Sequence, residues 1–176
     1  MAAFNFIIRQ AVPDNIDTLR QLSIETFTDT YAAFNTEDDM RLHLSREFNR
    51  EHLLNELQDK QNFYFIAMVD DEAAGYIKLR TEKQPEALQN RSNIELERIY
   101  VSKKYHGTGL GKLLIQQCID TAIENGCDVL WLGVWKQNEK AIQFYKKCDF
   151  SIFGEQVFTL GSDPQNDWLM MKELKH

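Results

Sequence analysis

Ile94-Glu95-Leu96-Glu97-Arg98-Ile99-Tyr100-Val101 runs, after a short basic loop, into His106-Gly107-Thr108-Gly109-Leu110-Gly111-Lys112. The first segment reads as a β-strand, and the second as a glycine-rich turn opening an amphipathic helix. That order offers backbone N–H groups, a helix N-terminus and local positive charge to one small anionic group, most naturally phosphate. No acidic residue stands between Arg98 and Ile119, while Arg98, Lys103, Lys104 and Lys112 all fall in that stretch. The turn is thus a basic island in a chain of net charge −7. Distant repulsion is screened beyond about 10 Å at moderate salt, so nearby donors and lysines decide whether an anion binds.

Upstream, Phe6 to Arg9 reads as a first strand. Asp14-Asn15 is placed to cap a helix carrying Ile16, Leu19, Leu22 and Ile24 toward Phe27. Asn35-Thr36 opens a second helix with Met40, Leu42 and Leu44, and Glu51 to Leu57 forms a third with Leu53, Leu54 and Leu57; these leucines and Met40 read as core. Residues 63–69 and 74–79 flank Asp70-Asp71-Glu72 as a hairpin, and Thr81 to Asn93, with Pro85, reads as a loop. Downstream of the glycine turn, Leu110, Leu113, Leu114, Cys118 and Ala122 share a helix face that Asn125-Gly126 ends. Val129 to Val134 is a buried strand. Asn138 opens a helix with Ala141, Ile142, Phe144 and Tyr145 inward, and residues 151–160 and 168–173 make a final hairpin across a loop at 161–166. Hairpins plus one strand–helix–strand crossover imply a mixed sheet with helices on its faces.

Length and composition narrow the function classes. The 176 residues fit one domain, 1–176, with a sizeable core. An acidic chain is a poor nucleic-acid binder and a better match for small cations. No apolar run reaches membrane-spanning length, and the start lacks the basic n-region of a signal peptide, so no membrane partner is expected. Cys118, Cys127 and Cys148 are an odd set without framework spacing, which suits thiols in a reducing cytoplasm. His43, His52, His106 and His176 are scattered, and no metal is expected.

Three readings of the glycine turn compete. A Walker loop needs glycine where His106 stands and a hydroxyl where Leu113 stands. A Rossmann fingerprint needs GxGxxG and an acidic residue closing the next strand, whereas Gly107-x-Gly109-x-Gly111 is followed by Leu132-Gly133-Val134. A bare helix start explains the glycines but not Asn138-x-x-Ala141-x-x-Phe144-Tyr145-x-x-x-x-Phe150 downstream. Both constellations together resemble the GNAT (Gcn5-related N-acetyltransferase) family, whose turn [Q/R]-x-x-G-x-[G/A] wraps the pyrophosphate of coenzyme A. His106 replaces the usual Gln or Arg, and Asp149 replaces the usual Gly before Phe150. Gln21 to Phe27, Asp29-Thr30, Glu95 to Val101, Trp131 to Trp135 and Asn138 to Lys147 look most like polyamine N-acetyltransferases of the PaiA type.

The resemblance implies an α/β (α+β) GNAT fold: a mixed, mostly antiparallel sheet of about seven strands flanked by helices, its glycine turn following strand 4. It implies acetyl transfer from acetyl-CoA to a primary amine, with spermidine or spermine as acceptor. A protein N-terminus or lysine is the alternative acceptor, and a non-catalytic CoA-binding sensor or interaction module the alternative of another class. Acetyl-CoA would lie on Ile99, Tyr100, Val101 and the turn His106, Gly107, Thr108, Gly109, Leu110, Gly111 and Lys112, with Asn138 and Tyr145 beside it. Tyr145 is the implied general acid, and a backbone N–H within Ile99 to Val101 the oxyanion donor. Glu95 and Glu97, at i and i+2, share a sheet face, so one pKa is expected to rise; Glu97 is the expected base, directly or through water, with Glu95 behind it. Glu25, Phe27, Asp29, Tyr31 and Trp135 are the expected acceptor residues, carboxylates for ammonium and aromatic faces for cation–π contact. Family habit implies a homodimer, for which Phe, Trp and Leu of the last hairpin would serve.

Overall fold

The computed structural model describes residues 4–175. His176 and residues 1–3, the start of the segment expected to lack a signal peptide, lie outside that range. In chain order the elements are β1 (Ile7–Gln10), α1 (Ile16–Tyr31), α2 (Glu37–Glu47), α3 (Arg50–Gln58), β2 (Asn62–Val69), β3 (Glu72–Arg80), β4 (Asn93–Val101), α4 (Leu110–Glu124), β5 (Val129–Trp135), α5 (Glu139–Lys147), β6 (Ser151–Leu160) and β7 (Asp163–Glu173). Seven strands form one sheet in the order β1-β2-β3-β4-β5-β7-β6. Every pairing is antiparallel except β4 with β5, the two strands that α4 connects.

Side-chain spacing puts helices on both faces. Leu110, Leu114, Cys118 and Ala122, four apart on α4, bury against Ile77, Leu79, Ile94 and Leu96. On the other face Leu19 and Leu22 of α1 meet Tyr64, Ile66 and Tyr76. Leu113 lies outside the arc of α4 that these four define and is 48% exposed, so its core assignment is corrected. Leu42 is likewise 42% exposed, standing about 200° round α2 from buried Met40. Thr36 caps α2 by accepting the Asp39 N–H at 3.1 Å. Asn15, read as a cap for α1, instead accepts the Val12 N–H at 3.0 Å, closing a short turn ahead of the helix.

The expected loop at 161–166 is a tight turn. Gly161 takes a φ of +63° and β7 begins at Asp163. Pro164 pairs with Thr159 of the edge strand β6 and lies beyond the reach of β5, which meets β7 only from Asp167 onward. A Cβ on Gly161 would stand 2.6 Å from the Asp39 Cα. Ser162 donates from its N–H and hydroxyl to Asp39 Oδ1 at 2.8 and 2.7 Å. The start of α2 is thereby fastened to the turn of the last hairpin.

Asp149, where the resemblance has Gly, holds a φ of +66° at the end of α5. A side chain is strained there. Asp149→Gly is expected to raise Tm by about 1–4 °C in calorimetry; a lower Tm would show that the Asp149–Lys172 contact at 3.4 Å outweighs the relieved backbone.

Candidate active site

β4 and β5 pair only over Asn93↔Val129, Ile94↔Leu130 and Glu95↔Trp131. Past Glu95 they separate, while β5 continues beside β7 as far as Trp135↔Asp167. The edge of β4 facing β5 is left without a strand partner from Leu96 to Val101. Unpaired backbone groups call for some partner, and here they border a cleft of about 450 Å³. Ile99, Val101, Val134, Asn138 and Tyr145 line it on one side of the sheet opening; Phe27, Tyr31, Tyr100, Trp135, Phe158 and Asp167 line it on the other.

A bulge at Glu97 decides which side chains face this cleft. Leu96 pairs with Leu79 and Arg98 with Lys78, so Glu97 is the extra residue. Ile94 and Leu96 before it, and Ile99 and Val101 after it, all pack toward α4. Glu95, Glu97, Arg98 and Tyr100 consequently come to the opposite face. Plain alternation correctly places Glu95 with Glu97 but misses the change of parity that adds Arg98.

The glycine turn fits a diphosphate. Gly107 and Gly109 hold φ of +77° and +90°, and a Cβ on Gly111 would press on the Phe144 ring at 3.2 Å. Leu110 and Gly111, at the head of α4, direct N–H groups out of the helix. The side chains contribute less than the sequence suggests. Lys103 is held by Asp29 at 3.0 Å, Lys104 is paired with Glu72, and Arg98 is buried elsewhere, leaving Lys112 as the local cation. The His106 ring bonds the Val101 carbonyl at 2.8 Å, which ties the turn to β4. Thr108 turns inward, donating to the Tyr105 carbonyl at 2.6 Å. Asn138 caps α5 through Oδ1, accepting the Ala141 N–H at 3.2 Å, and lines the cleft.

Phe27, Tyr31 and Trp135, the aromatics expected to meet the acceptor, form one wall of the cleft. Phe27 stacks on His43 at 4.3 Å, and Tyr31 lies 4.5 Å from Phe27 and 6.3 Å from Trp135. Glu25 and Asp29 do not join it. They stand about 200° round α1 from Phe27 and Tyr31, respectively, and turn to the far side. There Glu25 accepts from the Ser102 hydroxyl at 3.2 Å, and Asp29 pairs with Lys103. The cleft's own acidic residues are Glu47, Glu95, Glu97 and Asp167, interleaved with Arg46, Arg80, Lys83 and Arg98. Asp167 was not legible in advance; only its place opposite Trp135 on a neighbouring strand marks it. A Cβ on Gly133 would lie 2.6 Å from Gln156 Nε2 and 3.2 Å from Asp167 Oδ2, so that glycine makes room for both side chains.

The family model described as Acetyltransferase (GNAT) family matches residues 17–150. The chain belongs to the GNAT family. It is 38% identical over 153 residues to an uncharacterized N-acetyltransferase of Lactobacillus delbrueckii subsp. lactis, covering 87% of this chain and 88% of that one. A spermidine N(1)-acetyltransferase of Thermoplasma acidophilum is 26% identical over 149 residues, 82% of this chain and 88% of that one. The crystal structure of the PaiA N-acetyltransferase from Thermoplasma acidophilum in complex with coenzyme A superposes with a TM-score of 0.76 at 25% identity, over 96% of this chain and 99% of that one. This GNAT chain is an acetyl-CoA-dependent N-acetyltransferase. Among the described residues no group of three His, Cys, Asp or Glu could hold a metal, and no helix is long and apolar enough to cross a membrane.

The charges beneath the aromatic wall form a network. Glu56 pairs with Lys78 and with Arg98 at 3.1 Å and accepts from the Tyr64 hydroxyl at 2.5 Å. Lys78 also stands 2.5 Å from Glu97, and Arg80 bridges Glu97 at 3.1 Å and Glu95 at 2.5 Å. Burial pushes the Glu97 carboxyl up, but Arg98, Lys78 and Arg80 together outweigh it and hold the pKa below the ordinary value. The expected rise from carboxylate repulsion is thus reversed at Glu97, because three cations surround it and one of them, Arg80, bridges it to Glu95. Asp167 behaves oppositely: burial pushes it up to about 6, against a Gln156 hydrogen bond and Lys83 that pull it down. Burial also raises the Tyr145 phenol, which stays protonated at neutral pH.

Glu56 gives a pH test. Burial raises its pKa, yet Arg98 and Lys78 bring it down to about 2 from an unfolded value of 4.5. A depressed folded pKa contributes stability above the unfolded value and loses it as pH falls. Urea melts should lose on the order of 3 kcal/mol from this group between about pH 5 and pH 2. Glu56→Gln should be less stable at pH 7 and show a flatter decline toward acid; an unchanged slope would mean that the network does not hold Glu56 ionised.

Proposed function

We propose that the chain acetylates a primary amine of a small acceptor by direct attack within the β4–β5 wedge. The observation that carries this reading is the convergence of Tyr145, the open edge of β4 and the aromatic wall on one cleft. Acetyl-CoA supplies the acetyl thioester. The acceptor nitrogen gains a bond to the acetyl carbon, the carbon–sulfur bond breaks, the amine gives up a proton and the sulfur takes one. Tyr145 holds the proton for the sulfur at Oη. A backbone N–H within Ile99 to Val101 meets the charge that develops on the carbonyl oxygen, a donor of a kind whose removal costs about 10²–10³ in rate.

An amine with a pKa near ~10 must be deprotonated before it attacks. Glu97 is our proposed acceptor of that proton, through water rather than directly, since its ion pairs with Lys78 and Arg80 hold the carboxylate charged and engaged. Glu95 is tied to Arg80 in the same way and is the second choice. The spermidine acetyltransferase relative supports a polyamine acceptor. The position of Glu25 and Asp29 outside the cleft weighs against a polycation. A homodimer would use the edge strand β6, where Ile152 and Val157 are exposed, in place of the Phe, Trp and Leu named from sequence.

Tyr145→Phe tests the acid. A CoA-release assay should show kcat lowered by about 10²–10⁴ at most, with the KM for acetyl-CoA nearly intact. Unchanged kcat would remove Tyr145 from the proposal.

A further inference from the structure

The eight charged residues of the acceptor cleft do not all cancel. Glu47 is paired with Arg98 at 3.6 Å, Glu95 with Arg80, and Glu97 with Lys78 and Arg80. Lys83 lies 3.9 Å from Glu95, donates to Gln156 Oε1 at 3.2 Å and rests over the Trp131 ring. Among the described residues, that leaves one acid and one base in the cleft without an ion pair: Asp167 and Arg46. Asp167 is buried, while Arg46 is exposed on the last turn of α2.

The two reach the cleft from different elements, Arg46 from α2 and Asp167 from β7. Asp39 of α2 is fastened to Ser162, and one turn on His43 meets Phe158 at 5.9 Å. Arg46, one turn further along α2, and Gln156 of β6 both line the cleft. Gln156 is paired with Asp167 across β6 and β7. Phe27, Tyr31 and Trp135 line the same cleft.

We infer that the acceptor carries an acid group beside its amine, in the manner of an amino acid, with Asp167 receiving the ammonium and Arg46 the carboxylate. This inference rests on the acetyl-transfer reading above and narrows its substrate class. A cleft with one unpaired charge of each sign matches a zwitterion, and a polyamine would set a further ammonium group against Arg46. The buried Asp167, at a pKa of about 6, gains most from a cation placed beside it.

The test uses amino acids and their decarboxylated counterparts in a CoA-release assay: lysine with cadaverine, ornithine with putrescine, phenylalanine with phenethylamine, and spermidine. At least one acid should be preferred to its counterpart by about 10- to 100-fold in kcat/KM, mostly through KM, as a charge-assisted contact provides. Arg46→Gln, at an exposed position that should fold normally, should reduce that preference to about threefold or less, and Arg46→Lys should restore most of it. Asp167→Asn should lower kcat/KM for acid and counterpart alike by about tenfold or more. Counterparts or spermidine turned over as well as the acids, or a preference that survives Arg46→Gln, would overturn the inference while leaving acetyl transfer intact. An Asp167→Asn enzyme as active as wild type would overturn the ammonium assignment. No CoA release with any member would refute the acetyl-transfer reading itself, and this inference with it.

Discussion

Two neighbouring strands that pair for three residues and then part create the site around which this molecule is built. Parallel β4 and β5 are joined through α4, so the turn that starts α4 lies at the mouth of the opening. A row of backbone groups on β4 is left to find a partner other than a strand, and the helix N-terminus stands beside it. Holding such an opening requires that the sheet be secured elsewhere. β3 secures one side of β4, β7 secures β5 along its whole length, and α4 spans both through Leu110, Leu114 and Cys118.

The bulge at Glu97 is the second determinant. By shifting the parity of β4 it gathers Glu95, Glu97, Arg98 and Tyr100 onto one face and keeps Ile99 and Val101 on the other. The outcome is a carboxylate pair embedded among Lys78, Arg80 and Arg98 instead of a repelling pair facing water. Such buried networks hold geometry more than they add net stability, since desolvation offsets much of the attraction. Here the network makes a rigid charged floor beneath the aromatic wall. Its strongest acids are engaged, and the titratable carboxylate that remains, Asp167, comes from a strand remote in sequence.

Most of the architecture was legible because it rests on local signals. The glycine turn, the Asn138 cap, the β2–β3 hairpin and the four-residue spacing of Leu110, Leu114, Cys118 and Ala122 each declare themselves within one segment. Leu113 and Leu42 were misplaced because apolar identity was given more weight than helical phase. The last hairpin was read as looser than it is, since Pro164 signals a loop unless one knows that β5 stops short of it. The cofactor side of the cleft came through as a contiguous motif. The acceptor side did not, because it is assembled from α1, α2, β4, β6 and β7, and no local pattern distinguishes Glu25 from Asp167 as the acid that faces inward.

Hydrogen–deuterium exchange of the whole chain, with and without saturating acetyl-CoA, tests the central claim most directly, because that claim concerns backbone N–H groups. The account predicts slowed exchange in two separate segments, Ile99 to Val101 on the open edge of β4 and Gly109 to Lys112 at the head of α4, with the β2–β3 hairpin unaffected. Protection confined to other parts of the sheet, or absent from β4 while acetyl-CoA is bound, would contradict it.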